Sequence, residues 1–347
     1  MIQSKYMVSI HCMTYNHAPY IEDAMNGFCV QQTDFPFVAI IVDDASTDGE
    51  PEVIRQYLNA HFNMDSARQW ETDDAWFIEA KHNTNVNCTF AVVLLKYNFW
   101  QAKKDKEPLM KEWMDTKYIA FCEGDDYWTD AEKLQKQISF LELHIEYVVC
   151  THDFIRYYEK KNLYENKSSY SDFFSSNACR DKYFNYSLDN YFDGWWTQPL
   201  TAVYRNGKYL SLIPKQKYKY YRDDIFFYYV LKEGKGVLLS DIMGVYRIHD
   251  GGIWSGQNRL HGHDMEIYNA FCIMNNEGDH NAVKKMERSQ LLKINIYENE
   301  GDLYKILKEL YNYYKIAPLG SFLKILYAVI RNQAGILHAK LKMVNKQ

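Results

Sequence analysis

The chain has no Cys-x-x-Cys pair, although its 347 residues include seven cysteines. An odd number of thiols, several inside apolar runs, argues against a disulfide framework or a thiolate zinc site and fits a reducing compartment. No Gly-x-Gly-x-x-Gly follows the first apolar run, and neither Gly-x-x-x-x-Gly-Lys nor His-Glu-x-x-His occurs. Dehydrogenase, P-loop NTPase and zinc-peptidase readings therefore lose their motifs. No stretch reaches about 18 uninterrupted apolar residues, so no membrane-crossing helix is expected. The opening "MIQSKYMVSIHCMTYN" lacks a signal-peptide apolar core, and a cytoplasmic protein is expected. Net charge is −5, so nucleic acid is not an expected partner. No internal repeat is visible.

What is present is a soluble globular composition, 47% hydrophobic and 24% charged, long enough for one large domain or two ordinary ones. Met7 to Met13 reads as a buried strand. "HAPYIEDAMNGFC" follows with helical spacing, Val38 to Val42 is a second strand, and "STDGEPEVIRQYL" opens a second helix. This alternation predicts an α/β fold with a mostly parallel central sheet flanked by helices. "WFIEA" is a candidate third strand, Phe90 to Lys103 a candidate helix, and "KYIAFC" a fourth strand. "DAEKLQKQISFLELH" is an amphipathic helix, and "YVVCTHDFIRYY" another strand. Residues 159–190 are polar and read as a mobile loop region. "DDIFFYYVLKEGKG" reads as a helix, "GVLLSDIMGVYRIHDGG" as a strand entering a glycine loop, and the remainder as a helical C-terminal extension.

Two acidic clusters end predicted strands: Asp43-Asp44 after "VAIIV", and Glu123-Gly124-Asp125-Asp126 after "YIAFC". Ligands of open parallel sheets bind beyond the carboxyl ends of the strands. Carboxylates gathered there repel one another unless a hard cation, Mg²⁺ or Mn²⁺, and hydrogen-bond donors offset the charge. The bland reading is that these acids cap the following helices.

"VSIHCMTYNHAPYIEDAM", "IIVDDASTDG" and "YIAFCEGDDYWTDAEKLQKQISFLE" resemble the family 2 nucleotide-sugar glycosyltransferases with the Rossmann-like GT-A fold, of the bacterial surface-polysaccharide type. The resemblance implies a nucleotide-sugar-binding half over 6–150, an acceptor-binding half over 151–262, and a helical extension over 263–347. It implies an inverting transfer, from a donor expected to be UDP-linked, to a glycan or lipid-linked acceptor, with Mn²⁺ or Mg²⁺. By this resemblance Thr14 and Tyr15 contact base and ribose, Asp44 accepts from the uracil ring nitrogen, and Asp43 precedes it. Lys81, Asn83 and Asn85 stand where the family places base contacts. Glu123, Asp125 and Asp126 occupy the metal and diphosphate motif, Asp126 favoured for the metal and Asp125 for ribose or metal. His249, ahead of Gly251-Gly252, completes the metal shell, binds diphosphate, or is merely structural.

Inversion needs one base for the acceptor hydroxyl. Asp223 stands at the family's base position, with Asp224 as runner-up. The alternative is that the pair caps its helix. Trp254, Trp195 and Trp196 are candidate acceptor contacts, with core burial the competing fate of at least one of the adjacent pair. A nucleotidyltransferase and a catalytically inactive glycan-binding protein on the same fold are the alternative functions. Residues 303–347 carry eight Lys or Arg against the single acid Glu309. Such helices either lie on the inner face of an anionic membrane or pack on the catalytic domain with a solvated basic face.

Overall fold

The computed structural model describes residues 4–176, 182–252 and 259–344, with side chains described as far as 332. Two compact units are present. The first comprises Met1–Leu188, Trp196–Ile213 and Phe226–His249; the second comprises Asp189–Trp195, Pro214–Ile225 and Asp250–Gln347. The boundary expected at 262/263 falls inside the second.

The first unit is built on one sheet. Its first elements are β1 (Val8–Thr14), α1 (Ile21–Cys29), β2 (Phe37–Asp43), α2 (Glu50–His61), β3 (Arg68–Glu71), β4 (Ala75–Lys81), β5 (Cys88–Leu95), α3 (Phe99–Ala102) and α4 (Glu107–Met110). Then come β6 (Tyr118–Phe121), β7 (Tyr127–Trp128), α5 (Lys133–Leu143), β8 (Tyr147–Tyr158), β9 (Leu163–Tyr164), α6 (Ser171–Ser175), β10 (Tyr183–Tyr186), β11 (Val203–Arg205), α7 (Asp223–Val230), whose first residues through Ile225 are assigned to the second unit, and β12 (Lys235–Ile248). The strand order is β10-β12-β8-β11-β6-β1-β2-β5-β4-β3. The segment β6-β1-β2-β5 is parallel throughout, and β12 runs parallel to β8. Every residue of β2 and β5 is buried, as strands covered on both faces must be. The core below them gathers Ile10, Phe28, Ile41, Phe90, Val92 and Leu134.

The helix expected over Phe90–Lys103 is not there. Cys88–Leu95 is instead an inner strand between β2 and β4, and only the single turn Phe99–Ala102 is helical. A continuous apolar run carries no periodicity to separate a strand from a helix; two flanking strands decided it. The polar stretch 159–190 also contributes structure, since β10 pairs with β12.

The second unit is helical: α8 (Arg259–Glu277), α9 (Val283–Glu300), α10 (Leu303–Tyr314) and α11 (Leu319–Val344). Helix α10 buries Ile306, Leu310 and Tyr313, and α11 buries Ile325 and Val329. Both also present apolar residues to solvent, Tyr304, Leu307, Tyr311 and Tyr314 on α10 and Leu319, Leu323, Tyr327 and Ile330 on α11. Among the described residues no helix is long and apolar enough to cross a membrane.

Candidate active site

Strand β2 ends at Asp43, level with Thr14, the last residue of β1. The chain then turns through Ala45, whose φ of 60° is the left-handed region. This turn separates the two acids. Asp44 accepts from the backbone N–H of Phe99 at 2.7 Å and of Trp100 at 3.3 Å, and pairs with Lys106 at 3.0 Å. Both of its oxygens are thus engaged at the start of α3. Asp43 Oδ2 accepts from Ser46 N at 3.2 Å, but its Oδ1 is buried with no partner. Burial pushes the Asp43 carboxyl up to about 6. The acceptor the resemblance placed on Asp44 is more open on Asp43.

The loop after β1 is tied to the loop after β2. Glu50, fully buried, accepts from the Thr14 hydroxyl on Oε1, and on Oε2 from His17 N at 2.9 Å and Ser46 Oγ at 2.8 Å. Asn16, at φ 57°, takes Thr47 N at 2.8 Å on its side-chain oxygen and gives its own N–H to Ser46 Oγ at 2.8 Å. Tyr15 is left 40% exposed at the rim, free to meet a ligand.

The second acidic cluster follows β6. Gly124 gives its N–H to Met13 O at 3.1 Å, and a Cβ on it would lie 2.1 Å from Thr14 Oγ1. Only glycine lets this loop press against the end of β1. Beyond it, Asp126 is buried, and its Oδ1 accepts from Arg247 N at 2.8 Å. Burial and the adjacent Asp125 push the Asp126 carboxyl well up. Asp125 Oδ2 lies 3.0 Å from His249 Nε2 and 3.8 Å from His17 Nε2, while Asp125 Oδ1 is buried without a partner. Burial raises the Asp125 carboxyl, but the His249 hydrogen bond and the electrostatic influence of the two imidazoles outweigh it and leave it below the usual range. Burial lowers His17, against the pull of Asp125. Two overlapping donor sets result: Glu123, Asp125 and Asp126; and His17, Asp125 and His249. In each the ligand atoms lie within 4.8 Å of one another. Asp125 is common to both sets, and its partnerless Oδ1 leaves its carboxylate with capacity for a divalent cation.

Arg247 braces this loop. Its Nε donates to Asp125 O at 2.9 Å and its Nη2 to Asp23 at 2.6 Å, and its guanidinium lies over Tyr20, with the centroid at 4.7 Å. His17, Glu50 and Arg247 escaped the sequence reading. His17 had a visible signal, an imidazole inside the first motif, "TYNHAPY"; Glu50 and Arg247 had none, because their partners are remote in sequence.

Other expected residues lie elsewhere. Lys81 pairs with Thr89, near the start of β5, whereas Asp43 pairs with Leu94 near its end. At about 3.3 Å per residue, Lys81 and Asn83 sit some 15 Å or more from the acidic strand ends. Asn85 is structural, donating to Cys29 O at 2.9 Å and Gln31 O at 2.8 Å. These three therefore do not join the cluster. Trp196 is buried among Tyr170, Phe173, Phe184 and Tyr186, so its ring is core and not an acceptor wall. Trp195 is 42% exposed in the second unit. Trp254 lies outside the described residues. Also in the second unit, Asp224 accepts from Asn269 Nδ2 at 3.0 Å and pairs with Lys285 at 2.9 Å. Asp223 is looser, with Arg222 at 3.8 Å, and burial followed by the charge of Asp224 pushes its carboxyl up.

The parallel core with acids beyond its strand ends is an α/β fold of the GT-A kind. Residues 9–68 match the model of glycosyl transferase family 2. An uncharacterised protein of Mycobacterium tuberculosis is 31% identical over 250 residues, covering 71% of this chain and 60% of the relative. TuaG of Bacillus subtilis, whose name assigns it to teichuronic acid biosynthesis as a glycosyltransferase, is 28% identical over 141 residues, 41% of this chain and 44% of that protein. The chain thus spans about 60% of the length of the mycobacterial relative. The crystal structure of TarS from S. aureus superposes with a TM-score of 0.50 at 18% identity, over 92% of this chain and 49% of that one. Over residues 9–68 the chain is thus similar to glycosyl transferase family 2.

Proposed function

We propose that the protein is an inverting glycosyltransferase that moves a sugar from a UDP-linked donor to a hydroxyl of a glycan or lipid-linked acceptor. One observation carries this reading. Two buried carboxylate oxygens without protein partners, Asp43 Oδ1 and Asp125 Oδ1, follow the C-terminal ends of β2 and β6, the strands on either side of β1. A buried acceptor left unpaired costs about 1–3 kcal/mol, so each calls for a ligand group. Asp43 suits a pyrimidine N–H, and Asp125 suits the cation of a nucleoside diphosphate. Thr14, in register with Asp43, and Tyr15 after it are assigned to the ribose. Asp125, with His249 and Asp126 or Glu123, would hold Mn²⁺ or Mg²⁺, which when bound supplies positive charge to the departing diphosphate.

The acceptor oxygen attacks the anomeric carbon, its proton passes to a carboxylate, and the bond from that carbon to the diphosphate breaks with release of UDP. Asp223 is assigned this base, because Asp224 is held by Lys285 and Asn269. The name of TuaG supports a cell-surface polysaccharide as acceptor. Solvent-facing apolar and tyrosine residues of α10 and α11, with Lys308 and Lys315 exposed among them, support contact with an anionic membrane. Incubation with a panel of nucleotide sugars and a candidate acceptor, read as UDP release, tests the proposal. Nucleotide-independent glycan binding without turnover would replace it with a binding function.

A further inference from the structure

The sequence resemblance puts the cation on the acids that follow β6, with His249 a candidate to complete the shell, and gives His17 no part in it. The geometry points to a different set. Asp125 belongs to both candidate groups, but its neighbours differ in availability. Asp126 already accepts the Arg247 N–H and is buried, and Glu123 is exposed. On the other side stand two imidazoles, both with Nε2 turned toward Asp125 Oδ2. Their rings meet edge to face with centroids 5.9 Å apart.

The hydrogen-bond chain behind His17 decides its tautomer. The Thr14 hydroxyl gives its one hydrogen to Glu50, so its oxygen accepts from His17 Nδ1, 3.2 Å away. A neutral imidazole that is protonated on Nδ1 presents a lone pair at Nε2. That lone pair faces a carboxylate oxygen at 3.8 Å with no proton to share between them. Two acceptors pointed at one another are unfavourable unless a cation lies between. A carboxylate behind an imidazole, here Glu50 acting through Thr14, is also the usual outer support of a metal-binding histidine.

We propose that His17 is a metal ligand, and that Asp125, His17 and His249 hold a borderline transition-metal dication in preference to Mg²⁺. Donors bound to one cation at about 2.0–2.2 Å stand roughly 3 to 4.4 Å apart, and the three donor atoms here lie within 4.8 Å of one another, close to that range. Imidazole nitrogen suits Mn²⁺, Fe²⁺, Co²⁺ and Zn²⁺ in rising order of affinity, whereas Mg²⁺ demands oxygen ligands and keeps its water. The remaining positions stay open for water or for diphosphate oxygens; in this last respect the inference rests on the proposed donor.

The test uses the full chain and reads binding rather than turnover. Free Mn²⁺ is followed by electron paramagnetic resonance, with and without UDP, in wild type, His17→Asn, His249→Asn and Asp125→Asn, each checked for an unchanged melting temperature. His17→Asn should weaken Mn²⁺ binding about tenfold or more while leaving weak Mg²⁺ competition unchanged. Co²⁺-loaded wild type should show a visible ligand-field band that shifts in both histidine variants. Wild-type Mn²⁺ affinity in His17→Asn, together with loss in Asp125→Asn, would return the cation to the acidic cluster. Should His17→Asn not fold, an unshifted Co²⁺ band in His249→Asn would also overturn the two-imidazole site. If the His17 dependence holds but UDP does not strengthen Mn²⁺ binding, the metal site stands and the nucleotide reading fails.

Discussion

Lys285 Nζ sits 2.9 Å from Asp224 Oδ2, and both side chains are largely buried. Asp224 is thereby part of the helical unit's interior, where it also receives Asn269. Removing one member of a buried pair costs about 3–5 kcal/mol, because the other charge is left uncompensated. Asp224→Ala should therefore lower the melting temperature sharply. Asp223→Asn should leave stability near wild type and reduce turnover by about a hundredfold or more, with UDP binding retained. Calorimetry and steady-state kinetics on both variants separate the roles; near-normal turnover in Asp223→Asn would remove it as the base.

Asp43 is raised to about 6 by burial. Its folded value lies above the ordinary carboxylate value, so the folded state holds the proton more tightly. Stability on this account is greatest below about pH 4 and falls as pH rises through 6, by about 3 kcal/mol. Asp43→Asn should flatten that slope in denaturant titrations at pH 4 and pH 7, and should weaken UDP binding measured by calorimetry.

Gly124 packs its α-carbon against Thr14, where a Cβ would lie 2.6 Å from Thr14 Cβ. Gly124→Ala should cost about 1–3 kcal/mol. It should also weaken Mn²⁺ binding, because the loop that carries Asp125 is pushed away from His17. Unchanged metal affinity with lowered stability would show that the close approach serves packing alone.

Lys133 is wholly buried, 3.9 Å from the centroid of the Trp128 ring and donating to Gln137 at 2.7 Å. Burial lowers it to about 7. The unfolded chain binds this proton up to about pH 10.4, so wild-type stability on this account rises between pH 7 and pH 10. Lys133→Met should lack that rise, and its stability relative to wild type should be greatest near pH 7 and shrink toward pH 9.5. Chemical denaturation at the two pH values checks the sign.

Lys308 and Lys315 are exposed on and just after α10, close to Tyr304, Leu307, Tyr311 and Tyr314. If this face meets anionic lipid, each basic residue contributes about 1 kcal/mol, and Lys308→Gln with Lys315→Gln should weaken co-sedimentation with anionic vesicles by about thirtyfold. Added salt should weaken it further. Wild-type vesicle binding that is absent, or equal on neutral vesicles, would remove the membrane from the proposal.

Much of the first unit was readable in the chain. Buried parallel strands are continuous apolar runs, and the acids that end β2 and β6 break those runs abruptly, so strand ends and candidate ligands were marked together. The one-turn helix Phe99–Ala102 and the strand Cys88–Leu95 were not readable, because Val92, Val93 and Leu94 are apolar on every side and only neighbouring strands distinguish strand from helix. Which acid is spoken for was also beyond the sequence. Asp43 and Asp44 are adjacent and chemically alike, yet a left-handed turn at Ala45 follows them, and Asp44 is engaged by Lys106 and the start of α3. Asp223 and Asp224 divide in the same way, through Lys285, sixty-one positions along the chain. The types of chemistry follow from local composition, which sequence carries. The assignment of each group to scaffold or site follows from partners brought together over long separations, and only tertiary structure supplies those.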